Sequence, residues 1–114
     1  VTSWATVCDL SCLPDGRGVA VLLDGEQVAL FRIGADLHAV DNWDPFSRAM
    51  VVSRGIVGSR SDRPTVASPM FKQVFDLSTG VCLDDPAVAL GVHDVRVVGG
   101  QVQIAVKAPI RQPA

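Results

Sequence analysis

Cysteine and histidine are the side chains that hold soft metals or move protons near neutral pH. Here they are few: Cys8, Cys12, Cys82, His38 and His93. Cys8 and Cys12 are spaced C-x3-C with no second pair and no histidine nearby, so a metal site built on them lacks its remaining ligands. The plainer reading of such thiols is small, buried, apolar side chains. His38 alternates with apolar residues in "LHAVD", and His93 opens another strand-like run; both read as surface or capping groups. Ser68 stands before a proline, outside any Gly-x-Ser-x-Gly elbow, and two histidines support no Ser–His–acid order. "SRGIVGSR" has two glycines but neither the dinucleotide fingerprint nor a Walker lysine. Asp84-Asp85, ahead of Pro86, reads as a solvated turn, because no aromatic platforms accompany it to suggest a sugar cleft.

The elements that would position any site are strands. "GVAVLLDGEQVALFRI" holds two β-rich runs around Asp24-Gly25, a pair suited to a type I′ turn because glycine accepts positive φ. "VRVVGGQVQIAVK" repeats the device at Gly99-Gly100, and Val102, Ile104 and Val106 alternate with polar or small residues, which puts one face on a core. A shorter hairpin is expected around "VFDLSTGVCL", and "LHAVD" is a fourth strand after the turn at Gly34-Ala35-Asp36. Trp4 lies in an apolar run and is assigned to the core. No stretch of ten residues carries a helical period. The pattern predicts an all-β sandwich or small barrel, one domain over 1–114, with a long loop over about 42–65 and a frayed tail over about 108–114.

Composition agrees with a globular fold: 48% of residues are apolar and 19% charged, too much hydrophobicity for a disordered chain. A net charge of −2 gives no reason to expect nucleic acid or a membrane as partner. The opening "VTSWATVCDL" has no basic segment followed by an apolar one, and three cysteines make a poor disulfide framework, so the cytoplasm is the expected location. Charge is uneven, however. Between Asp44 and Lys72 five basic residues (Arg48, Arg54, Arg60, Arg63, Lys72) face two acidic ones, a local balance of +3. Such a cluster is either ordinary solvated surface or a docking face. Trp43, just ahead of that stretch and within the expected loop, is either a packing anchor or an interface residue.

Two segments carry a more specific signal. "SPMFKQVFDLSTG" and "DNWDPFSRA" resemble the two cluster-binding loops of the Rieske ferredoxin family. In that family the first loop has Cys-x-His and the second Cys-x-x-His. Two thiolates hold one iron of a [2Fe–2S] cluster and two imidazoles the other. Aligned so, the cysteine positions become Asp44 and Ser68 and the histidine positions Phe46 and Phe71, while Pro45 and Pro69 match. All four ligand types are lost, and neither a phenyl ring nor a serine with a carboxylate replaces them. Phe46 and Phe71 are then expected to fill the vacated space by packing on each other or on a shared neighbour, the alternative being two unrelated loop phenylalanines. Asp44 is expected to accept hydrogen bonds from loop N–H groups or from Ser68.

The ordered series narrows the resemblance. Asp41-Asn42, Asp44-Pro45-Phe46-Ser47, Ser53-Arg54-Gly55, Ala67-Ser68-Pro69-Met70, and Lys72 ahead of Phe75-Asp76-Leu77 look like the small subunits of assimilatory NAD(P)H-dependent nitrite reductases, over about Trp4 to Lys107. That resemblance implies a Rieske-like fold of small antiparallel sheets without the cluster. It implies no catalytic, cofactor or metal residues in this chain and no activity of the chain alone. The implied partner is a large subunit carrying FAD, an iron–sulfur cluster and siroheme, which uses NAD(P)H to take nitrite to ammonium in nitrate assimilation. Candidate contact residues are Trp43, Phe46, Arg48, Arg54, Arg60, Arg63 and Lys72. Two other readings stay open: a Rieske-type electron-transfer ferredoxin with altered ligands, and an unrelated β-domain that binds some other partner.

Overall fold

The computed structural model describes residues 3–106. Twelve strands form there: β1 (Ser3–Asp9), β2 (Gly18–Leu23), β3 (Glu26–Ile33), β4 (Asp36–Asp41), β5 (Trp43–Asp44), β6 (Ala49–Met50), β7 (Ile56–Arg60), β8 (Arg63–Ala67), β9 (Val74–Asp76), β10 (Val92–His93), β11 (Val95–Val98) and β12 (Gln101–Val106). They pair antiparallel into four small sheets, ordered β1-β12-β11, β10-β4-β3-β2, β5-β6 and β7-β8-β9. The all-β expectation of small antiparallel sheets therefore holds. The predicted tail at 108–114, and Lys107 before it, lie outside the described residues.

The two glycine hairpins form as read. Asp24 and Gly25 take φ of 50° and 84°, and Gly99 and Gly100 take 56° and 78°, the doubly positive geometry of a type I′ turn. β3 sits at the centre and is covered on both faces. Val28 and Leu30 join Val102 and Ile104 of β12, whereas Ala29 and Phe31 join Val66, Phe75 and Leu77 of the β7-β8-β9 region. Two cores thus share one strand, which explains why "VALF" is uninterrupted by a polar residue. Trp4 is only half-buried, with the Arg96 guanidinium 4.1 Å from its ring centroid, so it belongs to a strand surface and not to the core.

The expected loop over 42–65 is instead built of short elements: β5, β6, a 3-10 turn at Val52–Arg54, β7 and the start of β8. Asn42 fastens them. It is fully buried, its Oδ1 accepts from Ser53 N at 2.8 Å, and its Nδ2 donates to Gln27 Oε1 at 2.9 Å. Gly55 lets the 3-10 turn lie flush on β8, since a Cβ there would meet Ala67 O at 2.4 Å and Val66 Cγ2 at 2.6 Å. The "SRG" run is thereby explained by packing: Ser53 donates a buried N–H, and Gly55 leaves space. The fold brings the β5-β6 loop beside the turn that joins β8 to β9, and these two turns form the site.

Candidate functional site

The two turns are built alike. In the first, Asp44 is followed by Pro45, and the N–H of Arg48 donates back to Asp44 O at 2.7 Å. In the second, Ser68 is followed by Pro69, and the N–H of Lys72 donates back to Ser68 O at 3.0 Å. Both closing residues are in the left-handed region, Arg48 at φ 58° and Lys72 at φ 63°. The proline fixes the entry φ of each turn, and the left-handed residue reverses the chain.

The turns are joined at their starting residues. Ser68 Oγ donates to Asp44 Oδ2 at 2.5 Å, and both side chains are shut off from solvent. Ser47 Oγ also donates to Oδ2, at 2.8 Å, and Phe46 N donates to Oδ1 at 2.9 Å. Burial is the largest single influence on the Asp44 carboxyl and pushes it up. The donors, Ser68 first and then Phe46 N–H and Ser47, outweigh burial and hold it below the ordinary carboxylate range. The expectation that Asp44 accepts from Ser68 and a loop N–H is met.

The expected pairing of phenylalanines is not. Phe46 is half-buried and its ring lies 6.1 Å from that of Phe75, tilted by 51°, against the core around Phe31 and Val66. Phe71 points outward and is 59% exposed, beside Met70 at 57%. The two turns meet instead through the direct Asp44–Ser68 hydrogen bond.

The basic residues fall into two groups. Arg54, at the end of the 3-10 turn, adjoins the Ile56–Ala67 end of the β7-β8 ladder, near Ser68. Arg60 and Arg63 sit at the opposite end, roughly 13 Å along a five-residue strand. Arg63 Nε is ion-paired with Asp76, a buried carboxylate whose Oδ1 accepts from Ser78 N at 2.7 Å and Thr79 N at 3.2 Å. Arg60 faces Asp84 at 3.9 Å. Among the described residues, Arg48, Arg54 and Lys72 have no ion-pair partner. Trp43 is 42% exposed and lines a shallow depression of about 410 Å³ with Leu22, Gln27 and Met50.

The soft side chains stay apart. Cys82 is in the core, Cys8 is half-buried, and Cys12 is exposed. Burial first, then Cys12 and Asp9, pushes the Cys8 thiol up, away from the thiolate a metal needs. Burial lowers His38 against the opposing pull of Asp36 and Asp76, which favours a neutral imidazole. His93 Nε2 lies 2.7 Å from Asp41 Oδ1, which ties β10 to the end of β4. Among the described residues no group of three or more His, Cys, Asp or Glu could hold a metal ion.

Comparison with known proteins places this geometry. The family model for the Rieske-like [2Fe-2S] domain matches residues 3–105. The nitrite reductase (NADH) small subunit of Salmonella typhimurium is 39% identical over 91% of this chain and 98% of its own length. The chain belongs to the Rieske-like family of nitrite reductase small subunits. A Mycobacterium tuberculosis chain whose crystal structure bears the name NADH-dependent nitrite reductase small subunit superposes with a TM-score of 0.90. It is 52% identical, and the match covers 96% of this chain and 99% of that one. A third relative, from Klebsiella oxytoca, is a nitrite reductase [NAD(P)H] large subunit, 38% identical over 89% of this chain but only 11% of that one. In that relative the matching segment is part of a much longer polypeptide. The residues here do not fit the [2Fe-2S] group of the wider Rieske-like family: Asp44 and Ser68 are bonded to each other, and neither Phe46 nor Phe71 offers a donor atom.

Proposed function

We propose that this chain is a noncatalytic, cluster-free small subunit that supports a nitrite reductase large subunit through protein contacts. One observation carries the reading: a direct hydrogen bond joins Ser68 and Asp44, the two positions that the resemblance aligns with the family's thiolate ligands. A tip closed by that bond has no group able to accept an electron. The redox chemistry from NAD(P)H to nitrite then belongs to the flavin, iron–sulfur and siroheme groups of the partner. The Klebsiella relative supports the partnership, because there a similar segment and a large subunit are one polypeptide. Free cysteines suit the reducing cytoplasm, where nitrate assimilation would take place.

The test is to purify the large subunit with and without this chain, and to measure nitrite-dependent nicotinamide oxidation and iron content. The expected result is a colourless chain, free of iron and inactive alone, that co-purifies with the large subunit and changes its turnover or lifetime. A brown preparation with a reduced-state EPR signal and stoichiometric iron would instead make it an electron carrier with altered ligands.

A further inference from the structure

The second turn presents two large apolar side chains to solvent, and nothing in the fold requires them there. Met70 and Phe71 are 57% and 59% exposed, on consecutive residues of a five-residue turn. Single exposed apolar residues are common, but an adjacent pair on a rigid projection is not. The turn is braced from within: Ser68 N donates to Gln73 O at 2.9 Å, Lys72 N to Ser68 O at 3.0 Å, and Met70 N to Ser68 Oγ at 3.4 Å. The Asp44–Ser68 bond then fastens the turn to the rest of the molecule. A braced apolar projection binds with little loss of conformational entropy.

Two cations belong to the same pair of turns: Lys72 follows Phe71 in the chain, and Arg48 closes the neighbouring turn that Asp44 joins to Ser68. Arg48 and Lys72 each occupy a left-handed position, at φ 58° and 63°, where glycine would be unstrained. Neither side chain has an ion-pair partner among the described residues, so both charges are open to a partner. Arg54 adds a third unpaired cation at the same end of β8.

We infer that Met70 and Phe71 form an apolar plug, with Arg48 and Lys72 on the same two adjoining turns, that seats in an acid-rimmed apolar pocket of the nitrite reductase large subunit. The plug would be the energetic centre of the contact, and the cations would orient it and speed encounter. The inference rests on the partnership proposed above and assigns it to particular side chains. Phe71 thus has a role opposite to the cavity filling expected of it from the sequence.

The test titrates the full chain against the large subunit of the same organism by biolayer interferometry. Phe71→Ala is expected to weaken Kd about tenfold. Lys72→Gly is expected to weaken binding and flatten its salt dependence while raising the melting temperature of the isolated chain, since glycine enters φ 63° freely. Val98→Ala, an equally simple truncation of an exposed residue on β11, should leave Kd within about twofold. If the wild-type chain binds and both turn variants match it within about twofold, the plug is wrong and the partnership stands. If the wild-type chain shows no binding at all, the partnership itself fails and the plug with it.

Discussion

Asp44 shows how a buried carboxylate is made stable. A carboxylate shut off from water is tolerated only when donors answer its charge, and here two hydroxyls and one backbone N–H do so. Removing it by Asp44→Ala leaves those donors facing nothing, at a cost of about 3 kcal/mol in urea unfolding. The pH dependence has a definite sign. Because the folded-state carboxyl is held below its ordinary value, its contribution is full above the unfolded-state pKa of about 4 and is lost as pH falls through the folded value. The stability gap between wild type and Asp44→Asn should therefore narrow as pH is lowered from about 5 toward 3; a constant gap would show that the charge contributes nothing. The two phenylalanines separate in the same experiment at neutral pH. Phe46→Ala, which strips a ring from Phe75, is expected to cost about 2 kcal/mol. Phe71→Ala should stay within about 0.5 kcal/mol, because its ring is outside.

The elements between Asn42 and Thr65 were hidden from sequence reading for a specific reason. The β7-β8 hairpin turns at Ser61-Asp62, with φ of 52° and 63°, so it uses the geometry of Asp24-Gly25 without a glycine to announce it. β5 and β6 have two residues each, too few to display a period. Their positions are set by Asn42, Ser53 and Gly55, each acting across the fold. Gly55→Ala should accordingly destabilise by about 1–3 kcal/mol, although its φ of −70° suits alanine, because the added methyl meets β8 backbone. A thermal shift of zero would mean that the 3-10 turn can lift away from β8.

Over the whole molecule, the positive charge collected between Asp44 and Lys72 divides between two ends of the β7-β8 ladder. At the hairpin end Arg60 and Arg63 face Asp84 and Asp76, and their charge is largely answered internally. At the turn end Arg48, Arg54 and Lys72 are unanswered among the described residues. On the proposed partnership, association with the large subunit should slow as ionic strength rises, and Arg48→Glu with Arg54→Glu should slow it further while leaving the fold intact. Arg60→Glu should have the smaller effect on the association rate; equal effects would place the contact along the full ladder.

The hairpins at Asp24-Gly25 and Gly99-Gly100 and the alternating face of β12 were legible in the chain's own residues, and the absence of Cys or His at positions 44, 46, 68 and 71 could be read there once the two loops were matched by resemblance. These follow from local rules: glycine at positive φ, a period of two, and the donor chemistry of single side chains. That Asp44 and Ser68 bond to each other, that Phe46 turns in toward Phe75, and that Phe71 turns out emerged from the folded chain alone. Those outcomes depend on how much room remains when two turns, 24 residues apart at their bonded ends, meet in space, and no local pattern encodes that distance.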